Sequence, residues 1–272
     1  MAISPMLTFL HISDTHINPN PEYIKFYADV TPLIGAKALV HQINNLPFDV
    51  DFVLHTGDVA YDPDPEAYAM CREILGEIKY PVHYVAGNHG DSPTLQHMQL
   101  DRVDPRSSLH YAFEVNGVQI VVVDSNGPTD PPAGYMTDSQ LEWLKGLCRA
   151  GDERPMVIAV HHNVLPVGVP WLDNYMGIQN GIMFHEAILP AKDRIRGVFF
   201  GHVHQNIEVI KDGILYTSCL SSWAQFMSYP GMTHTTPDAG AEHGFSLVSV
   251  FEDQTFIRRF RYPLPKNTDF QE

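Results

Sequence analysis

Cysteine is scarce in this chain: three residues in 272, Cys71, Cys148 and Cys219, far apart and with no Cys-x-x-Cys pair. That excludes a disulfide-framed mini-domain and argues against a thiolate-held structural zinc site. Isolated cysteines, two of them in helix-like stretches, read as buried free thiols and suit a reducing cytoplasm. Basic residues are also few, 17 Lys and Arg against 32 Asp and Glu, for a net charge of −15. Such a surface repels polyanions, so a long nucleic acid is not an expected partner. A small anionic substrate is still compatible if bound cations make its site locally positive. No apolar run reaches about 18 residues, so no membrane span is expected. The opening stretch MAISPMLTFLHISD has no basic leader and reads as a first strand rather than a signal peptide. What the chain has in plenty is histidine, 15 residues, nearly as many as Lys and Arg together.

Short apolar runs predict buried strands at 7–13, 51–56, 81–87, 155–160 and 196–200, and helical spacing appears near 32–46, 65–78, 137–149 and 180–189. Strands alternating with helices imply parallel pairing. Asn116-Gly117 and Asp212-Gly213, each between β-rich runs, predict hairpins. Thr137 with Gln140 has the form of a capping box. Two further strands close the chain. The expected architecture is α/β (α+β): two packed mixed β-sheets, parallel at the centre with antiparallel edges, flanked by helices. With no linker or repeat, residues 1–272 read as a single domain. Residues 221–244, rich in Ser, Thr, Pro and Gly, read as a loop-like cap or interface segment.

The polar residues that stand out share one address. Asp14 and His16 follow the first strand, Asp58 the second, Asn88 and His89 the third, His161 and His162 the run 155–160, and His202 and His204 the run 196–200. The carboxyl ends of parallel strands line one crevice, so five strands deliver Asp, Asn and His to one rim. Singly, each has a structural explanation: an Asp after a strand is usually a turn former. Together they form a donor set of imidazole and carboxylate that suits Fe, Mn, Zn or Co. In an extended strand end, alternate residues point the same way, which predicts that Asp14 and His16, and likewise His202 and His204, reach the site as pairs.

The blocks DTH, GDV, GNH, VHH and GHVH, in this order, resemble the calcineurin-like binuclear metallophosphoesterases, over residues 14–204. VVVDSN followed by GYMTDSQLEWLKGL is similar to the class III cyclic-nucleotide phosphodiesterase and glycerophosphodiesterase branch of that family. The resemblance implies a two-sheet sandwich and two divalent or mixed-valence transition metal ions. It implies that Asp14, His16, Asp58 and His204 hold the first ion, and Asp58, Asn88, His161 and His202 the second, with Asp58 as bridge. His161 is preferred to His162 because the family's ligand is the first residue after the strand. His89 is implied to sit over the phosphate and assist the leaving oxygen.

The chain departs from the family in three places. Gly90 stands where the family has an Asp that orients the GNH histidine, which leaves that role vacant or passes it to Asp91. Asn163 and Val164 replace two prolines. Tyr61 stands three residues after Asp58, the offset at which purple acid phosphatases place an iron-binding tyrosinate. Those enzymes lack the His of the DTH block, and His16 is present here, so Tyr61 is expected to pack at the site's edge. The activity implied is hydrolysis of small phosphodiesters, a 3′,5′-cyclic nucleotide or a glycerophosphodiester, by a hydroxide that the metals supply. The alternatives are a phosphomonoesterase or protein phosphatase on the same site, and a non-catalytic scaffold. A soluble homodimer or higher homo-oligomer is compatible with this reading.

Overall fold

The computed structural model describes residues 4–149 and 151–264. The first half runs β1 (Leu7–Ile12), α1 (Pro32–Asn44), β2 (Phe52–His55), α2 (Pro65–Leu75), β3 (Val82–Tyr84), α3 (Ser92–Leu100), β4 (Tyr111–Val115) and β5 (Val118–Val122). The second runs α4 (Asp138–Leu147), β6 (Met156–Ala159), α5 (Pro170–Tyr175), α6 (Gly181–Ile188), a tighter helical turn over Leu189–Arg194, then β7 (Ile195–Phe200), β8 (Glu208–Lys211), β9 (Ile214–Ser218), β10 (Phe226–Met227), β11 (Thr236–Pro237), β12 (His243–Val250) and β13 (Thr255–Tyr262).

These strands form the two mixed sheets expected, in the orders β13-β12-β1-β2-β3 and β4-β5-β6-β7-β9-β8. Pairing is parallel along β1-β2-β3 and β5-β6-β7-β9, and antiparallel at β12, β13, β4 and β8. Side-chain alternation divides each strand between two cores. In β1, Leu7 and Phe9 pack between the sheets with Phe52, Val122 and Phe199, whereas Leu10 and Ile12 pack outward against Leu39 of α1 and Cys71 of α2. The second sheet buries its outer face on α4 and α6 through Leu144, Phe184 and Ile188. All three cysteines are free and buried. Both hairpins turn on residues of positive φ, Asn116-Gly117 at 52° and 79° and Asp212-Gly213 at 53° and 86°, as the tight primed turns require.

The structure adds three details to this reading. The capping box at α4 is only half formed: Thr137 accepts from Gln140 N, but the Gln140 side chain turns away to clasp Asp124, accepting from its N–H at 3.1 Å and donating to its carbonyl at 2.9 Å. Helices α3 and α5 were not anticipated, since neither sequence has a strong apolar period. The loop-rich stretch 221–244 carries the short β10-β11 ribbon, and Trp223 is buried, its indole donating to Val30 O at 2.9 Å.

Candidate metal centre

Strands β1, β2, β6 and β7 all end at one rim, and the backbone just beyond them is bent hard. Eight described non-glycine residues have positive φ, and five of these are Asp14, His16, Asp58, His202 and His204. Such strain persists only where the surroundings enforce it. It also corrects the extended-strand argument. Asp14/His16 and His202/His204 converge because each chain segment coils into a left-handed conformation, not because alternate residues of a strand share a face. The motif glycines make room for this. Gly57 has φ of 106°, and a Cβ on Gly87 would strike Asp58 itself.

The donor atoms fall into two groups that share one oxygen. His16 Nε2 and His204 Nε2 face each other at 3.1 Å, with Asp14 Oδ1 at 3.8 Å from the first and 3.4 Å from the second. His161 Nε2 lies 2.9 Å from Asn88 Oδ1. Asp58 Oδ2 sits between the groups, 3.7 Å from His16 Nε2 and 3.2 Å from His161 Nε2. His202 stacks edge-on to His161 at 4.9 Å between ring centres, its Nε2 buried without a partner, and its backbone N–H donates to Asp14. Second partners fix the rings: His161 Nδ1–H donates to Thr56 O and His204 Nδ1–H to Ala224 O, both at 2.7 Å, which aims each Nε2 inward. Buried imidazole lone pairs aimed at one another and at carboxylates need cations, so this donor set fits a binuclear metal centre.

Electrostatics agree. Burial alone would push His161 down, but the Asp58 carboxylate outweighs it and raises the imidazole to about 9. His204 is likewise raised, burial being overcome by Asp14. Asp14 and Asp58 stay well below the usual carboxylate range despite burial, held there chiefly by His204 and His161 respectively. Burial keeps His16 and His202 neutral, His202 at about 3. The metal-free site therefore carries a proton on His161 that a metal must displace. Loading the apoprotein at neutral pH should release at least about one proton per chain, read from calorimetry in buffers of different ionisation enthalpy. The His161 share should vanish as pH rises through about 9. The stabilisation that the protonated ring gives the apoprotein is present below the ordinary histidine value and fades over the same window. Proton-neutral metal uptake at pH 7 would contradict this assignment.

His89 is half-buried at the mouth. Its backbone N–H donates to Asp58 Oδ1 at 2.9 Å and its Nδ1–H to Tyr61 O at 2.7 Å, so Nε2 is free. Asp91 does not orient it: its carboxylate caps α3, accepting from Thr94 N at 2.9 Å. The missing family aspartate is replaced by a backbone carbonyl, which no sequence pattern could mark. The carbonyl belongs to Tyr61, whose ring packs among Trp223, Tyr23 and His89. Burial and the neighbouring Tyr61 raise the Tyr23 and Tyr27 phenols. Tyr61→Phe should therefore leave metal content unchanged, and iron-loaded protein should show no phenolate charge-transfer band in visible light. A band that disappears in Tyr61→Phe would make Tyr61 a ligand.

Other supports escaped sequence reasoning too. Ser221 Oγ donates to Asp14 O at 2.7 Å, which ties residues 221–244 to the first donor group. Asp124 of the aspartate-serine block accepts from Ser92 Oγ, Leu109 N and Asn126 N, and so braces the loops beside the site. The Asn126 side chain in turn donates to Gly87 O at 2.7 Å.

Two facing sheets with Asp, Asn and His gathered at one rim define a metal-dependent hydrolase acting on phosphoric esters. The chain belongs to the calcineurin-like phosphoesterase family, whose model matches residues 7–206. It is 25% identical over 258 residues to the 3′,5′-cyclic adenosine monophosphate phosphodiesterase CpdA of Pseudomonas aeruginosa, covering 93% of this chain and 88% of that one. It is 28% identical over 200 residues to the glycerophosphodiester phosphodiesterase GpdQ of Enterobacter lignolyticus, covering 71% and 69%. Among solved structures, a dimetal phosphatase from Danio rerio shares the fold with a TM-score of 0.68 at 15% identity, over 96% of this chain and 100% of that one.

Proposed function

We propose that this protein hydrolyses small phosphodiesters, a 3′,5′-cyclic nucleotide or a glycerophosphodiester, at a pair of Fe, Mn, Zn or Co ions. The observation that carries it is Asp58 Oδ2, placed between a His16/His204/Asp14 group and a His161/Asn88 group. When bound, two such ions offset the charge of the phosphodiester and supply a nucleophile from water at neutral pH. Asp14, His16, Asp58 and His204 would hold the first ion, and Asp58, Asn88, His161 and His202 the second. The substrates named for the relatives above, cyclic AMP and a glycerophosphodiester, support the diester class.

The protein's own groups do the rest. His89, with Nδ1–H fixed on the Tyr61 carbonyl, presents Nε2 at the mouth, where it can hydrogen-bond the phosphoryl group and assist the departing oxygen. The chain acts as a single domain, residues 1–272, with 221–244 forming one wall: Trp223 lies 5.4 Å from His16 and Phe226 lies 5.0 Å from His204, ring centre to ring centre. The buried free thiols suit a cytoplasmic protein, and no described helix is long and apolar enough to cross a membrane.

Parallel assays with bis(p-nitrophenyl) phosphate and p-nitrophenyl phosphate, followed by a panel of natural diesters on metal-defined protein, test this. The diester should be the better substrate by kcat/KM. Preference for the monoester would move the protein to the phosphomonoesterase class.

A further inference from the structure

The second half of the VHH block is not a bystander. His162 is wholly buried, its Nδ1 is 2.6 Å from Ser125 Oγ, and its Nε2 has no partner. Its ring centre is 4.6 Å from that of His202 and 4.9 Å from that of His161. Each of the three rings offers a nitrogen within 4.8 Å of those on the other two. Gly134 lies against the Nδ1 edge, and a Cβ there would come within 2.7 Å of that nitrogen, so the ring is wedged with Nε2 facing away from Gly134. The His202 Nε2 is orphaned in the same way. With His162 Nδ1–H donating to Ser125 Oγ, Nε2 carries a buried lone pair that lacks a cation or a proton donor, and the described residues provide no donor.

We propose that His162 is an additional ligand of the second metal, through Nε2, oriented by Ser125. This rests on the metal-centre reading above and extends it. The second site then offers three imidazoles beside Asn88 and the shared Asp58, whereas the first offers two imidazoles and two carboxylates. Imidazole donors widen the preference for zinc, cobalt or iron over manganese, whereas carboxylates suit manganese comparatively well. The two positions are therefore chemically unequal, with the second selecting the softer ion.

The test uses the intact protein, histidine nitrogens labelled, loaded with NMR-active cadmium, and with His162→Gln to assign its signal. One cadmium is expected to show scalar coupling to nitrogens of His161, His202 and His162 alike. Coupling to His161 and His202 without His162 would overturn the inference while leaving the metal centre in place; coupling to none of the three would remove the second site and the inference with it. Competition titrations give a second readout. His162→Ala should weaken zinc at one site by about a hundredfold or more and narrow its preference for zinc over manganese, with the other site unchanged. Unaltered zinc affinity would refute the proposal.

Discussion

Asp58→Ala is expected to cut phosphodiester hydrolysis by about a thousandfold or more, because the metals it joins supply both nucleophile and charge stabilisation. Asp58 Oδ2 is the only carboxylate oxygen within 4 Å of both His16 Nε2 and His161 Nε2 among the described ion pairs. Its other oxygen receives the His89 N–H. One substitution would thus remove the proposed shared ligand and loosen the GNH loop. It would also remove the carboxylate that contributes most to raising His161. Metal content should fall below two per chain, with circular dichroism showing a retained fold. Near-normal turnover with both metals still bound would dismantle the binuclear reading.

His89→Ala should behave differently. Its Nδ1–H donates to the Tyr61 carbonyl, and although a ring nitrogen also lies within 4.8 Å of donor atoms of His16 and Asp58, metal content should remain close to the parent's if His89 serves the leaving group rather than the metals. Turnover of diesters with poor leaving groups should fall about a hundredfold or more, the range of a lost general acid or oxyanion partner. The fall should be smaller for p-nitrophenolate, which departs with little need of a proton. Equal losses for both substrates would assign His89 to binding instead of leaving-group assistance.

Much of this was legible in the sequence, for identifiable physical reasons. β1, β2, β6 and β7 are continuous apolar runs because both faces of each are buried, and the polar residue that ends each run marks the rim. Family resemblance then sorted the rim residues into expected roles, and Asp14, His16, Asp58, Asn88, His161, His202 and His204 lie close to one another at the rim. What was not legible lies in backbone groups and backbone shape. Thr56 O, Tyr61 O and Ala224 O orient three histidines, yet a carbonyl has no letter of its own. The left-handed turns at Asp14 and His204 contradict the extended pattern that alternation suggests.

Asp91 shows a signal that was present and misread. Asp91-Ser92-Pro93 is an N-cap followed by a proline in the first helical turn, a helix-start signature. Read as such, it predicts α3 and withdraws Asp91 from His89 at once. Gln140 carries a similar lesson: the capping-box pattern was real, but the side chain satisfies the buried backbone of Asp124 instead, because an unpaired buried amide costs more than an exposed helix end. Tyr61 contributes to the site through its carbonyl, while its ring and hydroxyl belong to the surrounding aromatic packing.

The measurement that bears most directly on the central claim is stepwise metal reconstitution of the chelated protein, with diesterase activity and bound metal followed together. The account predicts an inactive apoprotein, little activity at one metal per chain, and full activity only as a second metal fills the site bridged by Asp58. Full activity with a single metal, or activity that survives complete metal removal, would contradict it.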